Sequence, residues 1–168
     1  MKIVLSAIIA ATAMLSVPAK ASDAFVTQVG DGNAFSVVQV GSNRTGTKAQ
    51  PLMQSGRNNV LRIDQTGSDN AVGLQRGLQV GDANIATFAQ TGSGNRADFL
   101  QEGDRNRIAM IQDGNANVFD AVQRGNANSI SGFQSGNGNF ASVTQGGSGH
   151  VAAFSQTGMN NSITIRQN

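Results

Sequence analysis

The sequence predicts an all-β chain: a β-solenoid of stacked strand–turn–strand rungs, in which 11-residue half-repeats pair into 22-residue rungs with an amyloid-like cross-β spacing. Three observations predict it. Gln recurs at 79, 90, 101, 112, 123, 134, 145, 156 and 167, always eleven apart, and the same step separates Gln28 from Gln39 and Gln54 from Gln65. Gly follows two residues after nearly every one of these, and Asn five residues after most of them. Between Asn and the next Gln, apolar and polar residues alternate with period two, the pattern of a strand with one buried face.

The elements follow in chain order. Residues 1–21 read as a secretory signal peptide: Met1-Lys2 starts it, an apolar run spans Ile3 to Val17, and Ala19-Lys20-Ala21 is an A-x-A cleavage site. Residues 22–168 form the repeat domain, with the consensus Q-x-G-x-x-N-x-φ-x-φ-x, where φ is apolar. Thirteen strand-like segments are expected, each closing on a Gln, and hence about six rungs. Irregular steps, with extra residues near 44–51 and 75–78, interrupt the period; Pro51 lacks an N–H for a ladder and suits a loop. In the irregular second unit Arg44 occupies the Asn position, and His150 occupies it near the end. Counted from Asn, positions +2 and +4 point inward, among them Leu61/Ile63, Val72/Leu74, Ala86/Phe88, Ala97/Phe99 and Ile108/Met110. Large residues facing small ones across an arc, Phe88 with Ala97 and Phe99 with Ala86, would keep a thin core at even width; the alternative phase, with Phe99 facing Ile108, fits almost as well. Charges such as Arg62, Asp64, Arg96, Asp98 and Asp120 fall on outward positions, and Arg76 is the one charge on an inward position.

Stacking such rungs places Asn over Asn and Gln over Gln at roughly 4.7–4.8 Å. Amides suit this because each both donates and accepts, so a buried column satisfies itself; stacked carboxylates would repel. The expected inward amide ladder is Asn33, Gln39, Asn59, Gln65, Asn84, Gln90, Asn95, Gln101, Asn106, Gln112, Asn117, Gln123, Asn128, Gln134, Asn139, Gln145, Gln156, Asn161 and Gln167. The turn glycines Gly30, Gly92, Gly103, Gly114, Gly125, Gly136, Gly147 and Gly158 supply positive φ between strands.

Composition narrows the function. With no Cys the chain is neither a disulfide scaffold nor a thiol enzyme, and with one His it cannot build a multi-histidine metal site. No catalytic, metal or cofactor residue is expected: His150 reads as a ladder residue in place of Asn, and the turn residues Asp31, Asp69, Asp82, Asp104 and Asp113 lack the spacing of the calcium-binding nonapeptide. Removal of residues 1–21 takes Lys2 and Lys20 and leaves ten basic against ten acidic residues, so the formal +2 of the whole chain belongs to the leader. A neutral chain favours association and gives no support for nucleic-acid binding.

The stretch Asn84-Ile85-Ala86-Thr87-Phe88-Ala89-Gln90-Thr91-Gly92-Ser93-Gly94-Asn95 resembles the curlin repeat of bacterial curli fibre subunits, and the resemblance extends over about residues 23–168. It implies a secreted, cell-surface functional amyloid supporting biofilm matrix, adhesion and attachment. Its implied partners are itself, another curlin subunit, and the outer-membrane curli secretion channel with its accessory factors; no transmembrane segment is expected. In that family the inward amides of the terminal repeats promote assembly, which here points to Asn33 and Gln39, and to Asn161 and Gln167. The Gly-rich targeting stretch usual between signal peptide and first repeat is missing, so the export signal is not identified. A bulk subunit, a minor nucleating subunit and a monomeric β-solenoid adhesin all remain open. The bare terminal strand edges and the lack of a polar cap favour polymerisation.

Overall fold

The computed structural model describes residues 22–168; the expected signal peptide, 1–21, lies outside the described residues. The chain is a parallel β-solenoid of about seven turns, without helix among the described residues. Its strands are β1 (Asp23–Ala24), β2 (Val26–Val29), β3 (Ala34–Thr45), β4 (Leu52–Ser55), β5 (Val60–Val80), β6 (Ile85–Ser93), β7 (Arg96–Glu102), β8 (Arg107–Asn115), β9 (Val118–Asn126), β10 (Ser129–Asn137), β11 (Phe140–Ser148), β12 (Val151–Met159) and β13 (Ser162–Gln167).

Because alternate segments pair, the strands form two walls. One wall holds the segments ending in Gln28, Gln54, Gln79, Gln101, Gln123, Gln145 and Gln167; the other holds those ending in Gln39, Gln65, Gln90, Gln112, Gln134 and Gln156. We call these the odd and even walls. The register is set by the ladder residues: Gln112 pairs with Gln134 and Gly114 with Gly136, and the same alignment recurs at every regular level. Strands β3 and β5 run through an arc and contribute to both walls, which joins them into one sheet.

The core is the thin slab between the walls. Leu61, Ile63, Phe88, Phe99, Ile108, Phe119, Ile130 and Val143 are all fully buried there. Period-two alternation places them inside and their neighbours outside. Small residues make room for large ones along each stack: a Cβ on Gly132 would press on Met110 Sδ at 2.6 Å and on the Phe154 ring. Phe88 and Phe99 do not each rest on an alanine alone; their rings meet at 4.9 Å, tilted by 38°.

The irregular units differ from the sequence expectation in three places. The arc after Gln39 is one residue short, so Asn43, fully buried, takes the ladder position, while Arg44 points to solvent. The chain then leaves the wall as a loop over residues 46–51 and returns at Leu52. In β5 the register jumps between Val72, paired with Ala97, and Gly77, paired with Phe99. The extra residues therefore bulge at 73–76, ahead of the 75–78 expected, and Gly77 rather than Leu74 takes the core position. The bulge lifts Arg76 out of the slab, which relieves the one inward charge. Fully buried Leu52 lies against Gly73 and Gly77, where any Cβ would overlap it.

Candidate functional site

The distinctive chemistry of the described residues is the amide lattice lining the slab. A strand ending in Gln puts that side chain inward beside the arc. Each interior Gln Nε2 uses both hydrogens. Gln90 donates to Gln112 Oε1 at 2.7 Å and to the Ala71 carbonyl across the slab at 3.2 Å. Gln123 does the same with Gln145 Oε1 at 2.9 Å and the Arg107 carbonyl at 3.0 Å. The Gln columns are directional: every rung-to-rung bond has its donor on the earlier rung, from Gln28 to Gln54 at 2.7 Å through Gln145 to Gln167 at 2.8 Å.

The Asn columns bind the arcs. Asn106 N–H donates to Asn84 Oδ1 at 3.0 Å, while Asn84 Nδ2 donates forward to the Gly103 carbonyl at 2.7 Å. In the odd-wall column, Asn43–Asn70–Asn95–Asn117–Asn139–Asn161, Nδ2 also donates back to the preceding Oδ1, at 3.0–3.1 Å. Leaving one such buried amide unpaired costs about 1–3 kcal/mol, so the columns oppose any slip in register.

The arcs fix the spacing. Each full-length arc bends through positive φ twice, at its first Gly and at the residue just before the ladder position; the short arc at Gly41 does so once. The second place accepts Ala83, Arg105, Ala116 and Ala127, all at φ 54–57. The first is always Gly, for two reasons: φ there is +88 to +119, as at Gly114 (+112), and wherever another arc stacks above, a Cβ would overlap the carbonyl of that arc's glycine. Gly158, on the last arc, meets nothing closer than Asn161 Nδ2 at 3.6 Å.

The structure brings the sequence-predicted ladder residues into these columns, with the interior ones buried and Asn33, Gln39, Asn161 and Gln167 less covered at the ends. Gln28, Gln54, Gln79 and Asn70 join them on the same period. Asn43 is the member the period misses, since it follows Gln39 by four residues instead of five. His150 keeps the place of Asn through its main chain, which donates to Asn128 Oδ1 at 3.0 Å.

Outside the slab, charges pair along the walls: Arg62 with Asp64 at 2.8 Å, Arg124 with Glu102 at 3.1 Å, and Arg76 with Asp120. Asp98, expected on the open outer face, is buried beneath the 73–76 bulge. There it accepts the N–H groups of Gln75 and Arg76 at 2.9 and 3.1 Å and pairs with Arg96 at 2.6 Å. Among the described residues no three His, Asp or Glu side chains gather as metal ligands do, and no helix is long and apolar enough to cross a membrane.

The repeat and the solenoid fit a curli-like structural subunit. No curated protein matches the chain. A family profile described as the curlin associated repeat matches residues 136–168, the last rungs of the column. The spacing that carries this match recurs in register back through the ladder to Gln28, so the chain is similar to the curlin associated repeat at residues 136–168 and continues the same period before them.

Proposed function

We propose that this protein is a structural subunit of extracellular curli-like amyloid fibres, self-assembling end to end at the cell surface to build biofilm matrix and support adhesion and attachment. The observation that carries this is the open polarity of the amide columns. At the last rung, Gln156 and Gln167 Nε2 bond the Phe140 and Val151 carbonyls, both at 3.1 Å, and each keeps a second hydrogen aimed past the end of the column. At the first rung, among the described residues, Gln28 and Gln39 Oε1 accept from no earlier rung. Donors at one end and acceptors at the other make the column complementary to a second copy of itself, and strand edges at both ends supply main-chain groups to match. In this reading the chain is exported through an outer-membrane curli channel and meets other curlin subunits outside the cell.

A nucleating role has its own support. The loop at 46–51 and the bulge at 73–76 both lie in the early rungs, where a fibre-starting subunit would differ from a purely repetitive one. Incubating residues 22–168 at neutral pH with thioflavin fluorescence and electron microscopy tests the main reading: fibres are expected, and protein that stays monomeric for days would overturn it. Adding traces of this chain to a bulk curlin subunit separates the two roles, since only a nucleator abolishes the lag of that partner.

A further inference from the structure

The numbers of strands in the two walls are unequal. The odd wall has seven segments and the even wall six, because residues 22–168 hold thirteen alternating segments. A fourteenth would belong to the even wall, over β12. A second copy of residues 22–168, however, opens with an odd segment, β1–β2. Added by simple translation, that segment would lie over β13, and the even wall would lack one strand above Gln156, a gap of about 4.8 Å across which no ladder bond reaches.

We propose that successive copies in the fibre are related by a half-turn about the column axis, so that the odd wall of one copy continues as the even wall of the next. The proposal rests on the end-to-end assembly argued above. Each copy then advances by six and a half rungs, about 31 Å, and the fibre repeats only after two copies.

Two observations support it. First, both walls carry Gln, arc Gly and Asn on the same eleven-residue period, so the exchange keeps the ladder in register. It sets Gln28 of the incoming copy over Gln156, Gln39 over Gln167, and Asn33 over Asn161. Second, Gln28 is left with a hydrogen to give. Among the described residues its Nε2 donates once, to Gln54, whereas interior glutamines also reach a carbonyl sixteen to twenty-one residues earlier across the slab. Gln167 does so to Val151, at the start of the preceding segment. Under the half-turn, the equivalent carbonyl for the incoming Gln28 is Ser162, at the start of β13. Under translation the segment that should supply it is the missing strand.

The interior ladder bonds all close within residues 22–168, so these are the protein to use, and their lack of Cys gives a clean background. Thr27, Ser155 and Arg166 are all exposed, and each stands one residue before a ladder Gln. Thr27→Cys combined with Ser155→Cys places thiols on neighbouring strands across a half-turn junction; Thr27→Cys with Arg166→Cys does so across a translated one. Within one copy both pairs are several rungs apart. Fibres of each double variant are treated with a short bis-thiol cross-linker, dissolved, and run on a denaturing gel. A ladder of multimers for 27/155 and none for 27/166 is expected. The reverse pattern, or fibres that cross-link in neither variant, would overturn the half-turn. Helical reconstruction of unmodified fibres gives a second reading: about 180° and about 31 Å per copy are expected, and a junction without rotation overturns the proposal. If unmodified protein forms no fibres at all, it is the assembly reading that fails, and the two failures are told apart before any cross-linker is added.

Discussion

Replacing Gly114 by Ala separates the two roles of the arc glycine, its backbone angle and the room it leaves for the next rung. A Cβ there would lie 2.9 Å from the Gly136 carbonyl carbon and 3.1 Å from its nitrogen, and would overlap its oxygen, all rigid backbone. The arc must spread, which weakens two bonds to the carbonyls it presents, Asn95 Nδ2 to Gly114 at 2.8 Å and Asn117 Nδ2 to Gly136 at 2.9 Å. With about 1–3 kcal/mol for the unfavourable φ and about 1 kcal/mol for each bond, the expected loss is about 3–5 kcal/mol. Gly158→Ala is the matched control. Its φ is +108, close to the +112 of Gly114, but its nearest neighbour is 3.6 Å away, so only the angular cost of about 1–3 kcal/mol remains. Gly94→Ala, at φ +68 with nothing nearer than 3.9 Å, should cost under about 1 kcal/mol, since Ala83, Ala116 and Ala127 already hold that arc position. Urea unfolding of freshly dissolved monomer, followed by circular dichroism, measures all three. Equal losses for Gly114→Ala and Gly158→Ala would refute the claim that rung spacing, rather than backbone angle, demands glycine.

Three further outcomes are expected. Gln112→Glu buries a carboxylate where the amide donated to Gln134 and the Arg96 carbonyl at 3.0 Å, so its folded-state pKa is raised above the free value; the variant should approach parent stability below about pH 4 and lose several kcal/mol as pH rises to neutrality, and a flat pH profile would contradict it. Phe99→Ala removes a fully buried ring packed on Phe88 at 4.9 Å and should cost about 3–5 kcal/mol in the same unfolding assay, with under about 1 kcal/mol showing that the slab is not a packed core. Gly158→Ala, which costs a single copy only the angular term, puts a methyl group where the next copy's arc must stack, so it should slow seeded fibre growth; an unchanged growth rate would argue that this end does not elongate.

The regular rungs were legible because one unit is repeated many times, and a residue that pairs with its own kind one turn later leaves a period in the chain. The wall, the slab and the columns from Asn84 to Gln145 follow from that period alone. The irregular units were less legible, since counting forward from Asn assumes that extra residues follow the strand. Counting back from Gln instead identifies Leu52 and Gly77, each two residues before its ladder Gln, as core residues. Asn43 was hidden by an arc shortened by one residue. The burial of Asp98 had no local signal, because its cover is the main chain of Gln75 and Arg76 from the rung before. The open ends were legible in outline, but the direction of the Gln donors, and with it the polarity of the column, required the structure.

Mass per unit length of the assembled fibre tests the central claim most directly, because it separates stacked solenoids from chains that open and restack one per layer. Fibres built from the folded column should contain one chain in about 31 Å of length per filament, as six and a half rungs of roughly 4.8 Å. A value near one chain in every ~4.8 Å, some sixfold greater, would contradict the account by showing that the solenoid does not survive in the fibre.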